Sequence, residues 1–182
     1  MAMKKTVIIS VLLIAISQSA IAYFSDVDFH DYQKAIEFVE ERGIVGGYPD
    51  GTFQPNRVIN RAELTKIVVE TVFSGLEIDQ CGDDGFRDVY DSAWFASYIC
   101  VAKNAGIVSG YPDGTFQPGR NVNFVEALKI VSAAFGRNAA IDSSEWYRGY
   151  VESAGEDNLI PPDISAFNAD LTRGQMAEMI SR

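Results

Sequence analysis

The stretch Gly-Tyr-Pro-Asp-Gly-Thr-Phe-Gln-Pro occupies residues 47–55 and recurs unchanged at residues 110–118, 63 positions later. Nine identical consecutive residues indicate an internal repeat, and a repeated unit determines the overall architecture. Two shorter upstream motifs also return: Gly-Ile-Val at 43–45 and 106–108, and Phe-x-Asp-Val at 24–27 and 86–89. The chain of 182 residues therefore contains at least two copies of one unit.

A third, degenerate copy follows the first two. Five residues of the second copy return as similar residues 52 positions later: Trp94, Tyr98, Ile99, Ala102 and Ile107 as Trp146, Tyr150, Val151, Ala154 and Leu159. The turn has decayed to Pro-Pro-Asp-Ile-Ser-Ala-Phe at 161–167. The repeat predicts a first motif at 23–74, a linker at 75–80, a second motif at 81–137 and a third at 138–182.

Each copy is predicted to hold two short amphipathic helices joined by a loop. The first helices carry apolar stripes at helical spacing: Tyr32, Ala35, Ile36 and Val39; Phe95, Tyr98, Ile99 and Ala102; Tyr147, Tyr150, Val151 and Ala154. Gly43 and Gly106 stand where a helix commonly ends. The second helices begin with capping boxes: Asn60-x-x-Glu63, Asn123-x-x-Glu126 and Thr172-x-x-Gln175. Because one such unit buries little apolar surface, we expect all three to share a core.

The N-terminus is predicted to be a secretory signal at residues 1–22. Lys4 and Lys5 precede an apolar run at 7–16, and Ala-Ile-Ala at 20–22 supplies a cleavage pattern. The alternative, a membrane anchor, needs ~20 apolar residues, about twice this run. A lipoprotein anchor is excluded because no cysteine stands directly after the run. We therefore expect a secreted protein without stable membrane insertion after cleavage.

The formal net charge of −10 argues against nucleic acid, whose phosphates an acidic surface repels. Cys81 and Cys100 are the only two cysteines, and export favours pairing them in a disulfide. Metal binding is the weaker interpretation, because His30 is distant and the set lacks zinc spacing. Three acidic residues near the linker, Asp79, Asp83 and Asp84, lack a complete calcium loop, so a solvated acidic segment is the preferred interpretation.

The motifs at 24–27, 43–55 and 59–63, with their second copies, resemble the S-layer homology family. The resemblance covers residues 24–182. It implies an all-α fold in which three helix–loop–helix motifs surround a central helical bundle with pseudo-threefold symmetry. It also implies non-covalent binding to a secondary cell-wall polysaccharide, or another peptidoglycan-linked glycan, often carrying pyruvate ketals. No cofactor is implied, and the expected location is the cell surface or cell wall.

The resemblance places ligand in grooves between neighbouring motifs, with an arginine at the start of the second helix as a principal contact. Here these residues are Arg61 and Arg173. A guanidinium binds a carboxylate through two parallel hydrogen bonds, and a helix N-terminus adds backbone donors. The other candidate glycan contacts are Gly47, Tyr48, Gly110 and Tyr111, which also serve the turn, and Trp94 and Trp146, which could equally pack in the core.

The second copy departs from the family pattern. Phe124 replaces the arginine, and Arg120 is a substitute only from a loop with different reach. We expect that groove to bind carboxylate weakly or not at all, which leaves at most two good sites. Because the turn of the third copy has decayed, we also expect the wall of a second groove to be altered.

No residues form a recognisable catalytic motif, so the sequence predicts a non-enzymatic protein. His30 is the only histidine, and no serine or cysteine nucleophile accompanies it in a triad pattern. The leading hypothesis is a module that anchors to the cell envelope through glycan. The alternative is a structural S-layer or envelope protein that acts through self-assembly or protein partners.

Overall fold

The computed structural model describes residues 24–73, 75–79, 81–82, 85–137 and 145–182. The predicted signal peptide, Asp83 and Asp84 lie outside these residues. The described chain forms seven α-helices: α1 Gln33–Glu41, α2 Arg61–Val72, α3 Gly75–Asp79, α4 Ala96–Asn104, α5 Phe124–Ala134, α6 Arg148–Glu156 and α7 Arg173–Ser181. Strand pairing within the described ranges is limited to three isolated bridges. The predicted all-α class is confirmed.

The six predicted helices correspond to three pairs, one pair in each copy: α1 and α2, α4 and α5, α6 and α7. The segment predicted as a linker is not merely a connection. It contains the short helix α3, whose Ile78 is buried. This side chain packs on the common core. The segment therefore has a structural role, which its acidic residues did not indicate.

All three predicted capping boxes are present. Asn60 Oδ1 accepts a hydrogen bond from the backbone N–H of Glu63 at 2.9 Å, and the Glu63 carboxylate accepts one from Asn60 N at 3.1 Å. The same reciprocal pair forms in α5 and α7. Each cap satisfies backbone donors that the helix leaves unpaired and contributes about 1 kcal/mol. The capping boxes therefore fix where each second helix begins.

The first helices also end as predicted. Gly43 and Gly106 adopt φ values of +66° and +72°, a conformation that costs glycine little and other residues more. In the third copy Asn158 takes this role with φ +55°. Asparagine is the residue most often tolerated there after glycine, so the degenerate copy keeps the same helix end.

Each first helix packs against the second helix of the preceding copy. Helix α4 lies on α2, α6 lies on α5, and α1 closes the cycle by lying on α7. Within the described residues no first helix contacts the second helix of its own copy to a comparable extent. The packing unit is therefore offset from the sequence repeat, and the two ends of the described chain meet in one interface.

A closed cycle of backbone hydrogen bonds marks the pseudo-threefold axis. Ile59 N donates to Leu171 O at 2.9 Å, Leu171 N to Val122 O at 2.8 Å, and Val122 N to Ile59 O at 3.1 Å. Six further bonds relate the copies in the opposite cyclic sense, each copy donating to the next: Arg61 N to Arg120 O, Phe124 N to Ala169 O, Arg173 N to Arg57 O, Ala62 N to Pro118 O, Val125 N to Phe167 O and Gly174 N to Pro55 O. The implied threefold arrangement is thus present at the level of the backbone.

The central bundle consists of α2, α5 and α7, whose apolar stripes are buried as predicted: Leu64, Ile67 and Val68; Ala127, Ile130 and Val131; Met176, Met179 and Ile180. The stripe of α1 is also buried. Four predicted stripe residues of the other first helices are only half-buried: Phe95, Tyr98, Tyr147 and Val151. The rest of each stripe is buried: Ile99 and Ala102 in α4, and Tyr150 and Ala154 in α6.

The Phe-x-Asp-Val motif supports the repeated turn. The Asp26 carboxylate accepts hydrogen bonds from the backbone N–H groups of Phe53 and Gln54 at 2.7 and 2.8 Å. Asp88 accepts the matching pair at the same distances in the second copy. The motif therefore holds the end of each turn against the start of its own copy.

Cys81 and Cys100 form the predicted disulfide, with their Cα atoms 5.8 Å apart. It ties the segment after α3 to the buried side of α4, where Cys100 is 2% exposed. Asn104, one turn further along α4, places its side-chain nitrogen near both sulfurs. Among the described residues, no helix combines the length and apolar character that a membrane crossing requires.

Candidate functional site

The two predicted arginines are buried, and each reaches the turn of a different copy. Arg61 donates its Nε–H to the carbonyl of Phe116 at 2.9 Å, and Arg173 donates to the carbonyl of Phe53 at 2.8 Å. The side chains are 6% and 5% exposed. The arginine of the first copy therefore belongs with the turn of the second copy, and the arginine of the third copy with the turn of the first.

Aromatic rings flank each guanidinium group. The Arg61 Cζ lies 5.0 Å from the centre of the Tyr111 ring and 4.6 Å from that of Phe116. Arg173 repeats this geometry, with 4.9 Å to Tyr48 and 4.5 Å to Phe53. Cation–π attraction of this kind is stronger when water is excluded. The rings of the repeated turn thus hold the cations in place.

Among the described residues, neither arginine charge has a carboxylate partner. Within the described part of the chain neither Arg61 nor Arg173 takes part in a salt bridge. Burial lowers the pKa of both guanidinium groups, yet arginine stays charged in proteins. A buried cation without an ion pair is costly, and an anion bound beside it recovers part of that cost.

Two grooves of about 160 Å³ each contain these arginines. Groove A is lined by Arg61, Ile107, Val108, Ser109, Gly110, Tyr111, Glu126, Lys129, Ile130 and Trp146. Groove B is lined by Arg173, Val45, Gly46, Glu63, Lys66, Ile67 and Trp94. Each groove combines an arginine from the preceding copy, the second helix of one copy and the tryptophan of the next. Groove A also takes Gly110 and Tyr111 from the turn, whereas groove B takes Val45 and Gly46, which precede its turn. All three copies contribute to both.

The two tryptophans lie on the groove rims. Trp94 is 59% exposed and Trp146 is 42% exposed, so the alternative that they pack in the core is wrong. Each packs edge-on against the aromatic residue that follows it, Phe95 or Tyr147, which fixes the indole orientation. A flat aromatic face is therefore available at the mouth of each groove.

The turn glycines are explained by packing. A Cβ atom on Gly47 would lie 2.3 Å from a ring carbon of Phe24 and 2.8 Å from the carbonyl oxygen of Thr52. A Cβ atom on Gly110 would meet Phe86 and Thr115 in the same way. Gly110 also lines groove A. Their first role is therefore to let the Phe-x-Asp-Val motif approach the turn.

One lysine in each groove was not predicted. Lys66 and Lys129 lie three residues after the capping glutamates and line grooves B and A. The Lys129 ammonium is 5.6 Å from the centre of the Trp146 ring. The sequence signal that could have identified these lysines is their equal spacing from the capping box. Both occupy the same helical face, one turn beyond the capping glutamate.

A second arginine stands beside each groove and pairs with the capping glutamate. Arg57 contacts Glu63 at 2.9 Å and also the hydroxyl of Tyr48, while Arg120 pairs with Glu126. Arg120 also faces the Tyr111 ring, so it belongs beside groove A. The idea that Arg120 replaces the missing arginine at Phe124 is therefore wrong, because that position lies in another interface.

The third interface has lost the features of a groove. Phe124 is fully buried and stacks on Phe167, with 6.4 Å between ring centres. The Tyr32 hydroxyl donates to Asp163 across this interface. Glu178 stands at the position of the groove lysines, and Asp31 at that of the tryptophans. The missing arginine and the decayed turn thus fall in the same interface, and the turn paired with Arg173 is intact.

His30 has a structural role in the described chain. Its Nδ1 accepts the backbone N–H of Tyr32 at 3.1 Å, and Nε2 lies 3.2 Å from the Asn56 side-chain oxygen. No group of three or more potential metal ligands is assembled among the described residues. The two arginine grooves are therefore the arrangement with the clearest binding chemistry.

The first and second copies of this chain match a known family. The family model of the S-layer homology domain matches residues 23–65 and 85–128. "Middle cell wall protein" of Brevibacillus brevis is 30% identical over 152 residues, which covers 82% of this chain and 14% of the relative. "Cell surface glycoprotein 1" of Acetivibrio thermocellus is 34% identical over 129 residues, 66% of this chain and 6% of the relative. The "Cellulosome-anchoring protein" of the same organism is 31% identical over 121 residues, 65% and 27%. The chain therefore spans under a third of each relative.

Proposed function

Because the chain belongs to the S-layer homology family, we propose that it attaches to the cell envelope without covalent bonds. The ligand is an anionic secondary cell-wall polysaccharide, and its pyruvate ketal carboxylates bind in grooves A and B. The location at the cell surface or wall follows from the family and agrees with the names of the two relatives from the cell wall and the cell surface. The protein acts by binding and catalyses no reaction.

The observation that carries this proposal is the pair of buried arginines without a carboxylate partner among the described residues. Each guanidinium donates its Nε–H to a carbonyl of the turn, at 2.9 Å for Arg61 and 2.8 Å for Arg173. In Arg61, Nη2 also donates to the carbonyl of Ser109 at 3.5 Å. The other N–H groups of the terminal nitrogens are the part of the group that can form two parallel bonds to a carboxylate. The fixed Nε–H aligns this fork before ligand arrives, which lowers the entropy cost of binding.

The remaining groove residues suit a charged sugar. A tryptophan at each rim offers a flat apolar face to the C–H face of a pyranose ring. Lys129 adds a second positive charge in groove A, whereas Lys66 in groove B forms an ion pair with Glu70. The formal net charge of −10 does not oppose this, because salt screens distant surface charges while a buried local cation acts at short range.

The third copy is proposed to be a third motif of the same family. It shares the capping box, the helix pair and the cyclic backbone bonds of the matched copies. Its own interface with the second copy holds Phe124 and no cation equivalent to Arg61. We assign it a structural role that completes both grooves, through Arg173 in groove B and Trp146 in groove A.

The test measures retention of the purified protein on cell-wall sacculi. Wild-type protein is expected to sediment with the sacculi and to remain in solution after acid strips the polysaccharide. Arg61→Ala combined with Arg173→Ala is expected to abolish retention while circular dichroism still reports a helical fold. Arg42→Ala is the matched control, because the Arg42 side chain packs on Phe38 and lines neither groove.

Unchanged retention of the double variant would overturn the groove assignment. Retention that survives removal of the pyruvate groups would overturn the carboxylate as the recognised chemistry. The alternative function, self-assembly, predicts oligomers that grow with protein concentration in the absence of glycan. Light scattering of the purified protein distinguishes it from glycan binding.

A further inference from the structure

Both repeated turns contain an Asp–Gly bond, at Asp50-Gly51 and at Asp113-Gly114. This dipeptide is chemically labile because glycine has no side chain to shield its amide nitrogen. The nitrogen attacks the Asp carboxyl carbon, a C–N bond forms, and water leaves to give a succinimide. Addition of water to either ring carbonyl then returns aspartate or isoaspartate. In isoaspartate the backbone runs through the side-chain carbonyl and gains one methylene.

The turn geometry engages both reacting groups in the first copy. One carboxylate oxygen of Asp50 accepts hydrogen bonds from the Thr52 backbone N–H at 3.0 Å and from the Thr52 hydroxyl at 2.7 Å. The attacking atom, Gly51 N, donates its proton to the carbonyl of Tyr48 at 2.9 Å. Gly51 has φ +79°, which the turn requires.

The second copy repeats these contacts at the same distances. Asp113 accepts from the Thr115 backbone at 3.0 Å and from the Thr115 hydroxyl at 2.7 Å. Gly114 N donates to Tyr111 O at 2.9 Å, and Gly114 has φ +80°. The arrangement is therefore a property of the repeated motif and provides a matched pair of sites in one molecule.

These contacts oppose each requirement of ring closure. The carboxyl group must be protonated before hydroxide can leave as water, and hydrogen bonds from Thr52 hold the pKa of Asp50 below its usual value. Hydrogen bonds from Thr115 do the same to the pKa of Asp113. The glycine nitrogen must lose its proton and move toward the carboxyl carbon, which its bond to the tyrosine carbonyl resists.

We propose that the Thr52 and Thr115 hydroxyls protect the adjacent Asp–Gly bonds from isomerisation. A consequence for binding rests on the proposed function. Asp50 lies between Tyr48 and Phe53, whose ring and carbonyl hold Arg173. An added methylene at Asp50 shifts these two groups relative to each other and damages groove B.

The experiment compares wild-type protein with the variants Thr52→Val and Thr52→Ser. Each is incubated for weeks at 37 °C and mildly acidic pH, and isoaspartate at each position is quantified by peptide mapping. Thr52→Val is expected to accelerate isomerisation at Asp50 roughly tenfold, the factor that corresponds to loss of one hydrogen bond to a charged group. Asp113 in the same molecule is the internal control and is expected to keep its wild-type rate.

The Ser variant separates the hydroxyl from the general fit of the side chain. It is expected to isomerise at the wild-type rate, because it keeps the donor and loses only a methyl group. Equal rates at Asp50 in wild-type and natively folded Thr52→Val protein would overturn the proposal. So would acceleration in Thr52→Ser, or equal acceleration at Asp50 and Asp113 in Thr52→Val.

A binding measurement tests the consequence for groove B. Aged Thr52→Val protein is titrated with a pyruvate ketal of a methyl hexoside, and it is expected to lose binding in groove B in proportion to its isoaspartate content. Absence of binding in fresh wild-type protein contradicts the proposed function alone and leaves the isomerisation result standing. Full binding by protein that is isomerised at Asp50 contradicts the damage to groove B.

Discussion

Arg173 donates its Nε–H to the carbonyl oxygen of Phe53 at 2.8 Å, across 120 residues of sequence. The contact joins the last helix to the first turn in the interface where the described chain closes on itself. Arg61 and Phe116 make the equivalent contact one copy further along. Arginine and turn therefore come from neighbouring copies in both cases. The proposed binding unit is therefore the interface between copies. Two grooves with an arginine remain because the missing arginine of the second copy and the decayed turn of the third copy fall in the same interface.

The interface geometry predicts two ligands per chain. Titration calorimetry with a pyruvate ketal of a methyl hexoside is expected to give a stoichiometry of two for wild type. Arg61→Ala and Arg173→Ala are each expected to reduce it to one, because each removes the guanidinium of one groove. Arg42→Ala keeps two sites and serves as control. A stoichiometry of three would contradict the assignment of the Phe124 interface as silent.

Trp94 and Trp146 are expected to affect binding and not stability. Trp94→Ala weakens groove B and Trp146→Ala weakens groove A, each severalfold, since a stacked aromatic contact contributes about 1 kcal/mol. Because both side chains are exposed, the free energy of unfolding should change by less than about 0.5 kcal/mol. Tyr90→Ala, 72% exposed and outside both grooves, is the control. A large loss of stability in either tryptophan variant would indicate a packing role instead.

Adjacent glycines in the first turn should respond differently to alanine. Gly47→Ala is expected to lower the free energy of unfolding by about 1–3 kcal/mol, because its Cβ would overlap the Phe24 ring. Gly46→Ala has no atom within 4 Å of its added Cβ and should change stability little. Urea denaturation of both variants measures the difference. Equal midpoints would show that the turn relaxes around the added methyl group.

Thr65→Val is expected to stabilise the protein. Thr65 is fully buried in α2, and its hydroxyl has no hydrogen-bond partner among the described residues. Removing an unpaired buried hydroxyl while keeping the side-chain shape should raise the free energy of unfolding by about 1 kcal/mol. Thr71→Val is the control, because the Thr71 hydroxyl donates to Ile67 O at 2.8 Å and its loss should not stabilise. Thermal unfolding of the two variants gives the comparison.

Loss of the disulfide should destabilise the fold without removing the grooves. Cys81→Ala with Cys100→Ala opens a loop with a sequence separation of 19, which corresponds to about 3 kcal/mol of stability. Neither cysteine lines a groove, so the stoichiometry of ligand binding should stay at two. Reduction of the wild-type protein should give the same loss in urea denaturation. A midpoint insensitive to reductant would show that the bridge adds little.

The local features of the molecule could be predicted from the sequence. Capping boxes such as Asn60 with Glu63 act over three residues, and the stripe of Ile36 and Val39 follows the helical period. The disulfide followed from the count of two cysteines and the expected export. The candidate arginines followed from the resemblance to the S-layer homology family, which marks the first residue of the second helix as a ligand contact. Each of these signals lies within one copy, where spacing along the chain determines geometry.

The sequence by itself thus determined three helix pairs, their ends, their buried faces and the bridge between Cys81 and Cys100. Only the tertiary structure decided which helix packs on which, and therefore that Arg173 meets Phe53 while Phe124 meets Phe167. The reason is that repeated copies present similar apolar faces, so periodicity alone cannot choose among nearly equivalent partners. That choice depends on the cyclic backbone bonds around Ile59, Val122 and Leu171, which join residues distant in sequence and form only when all three copies assemble.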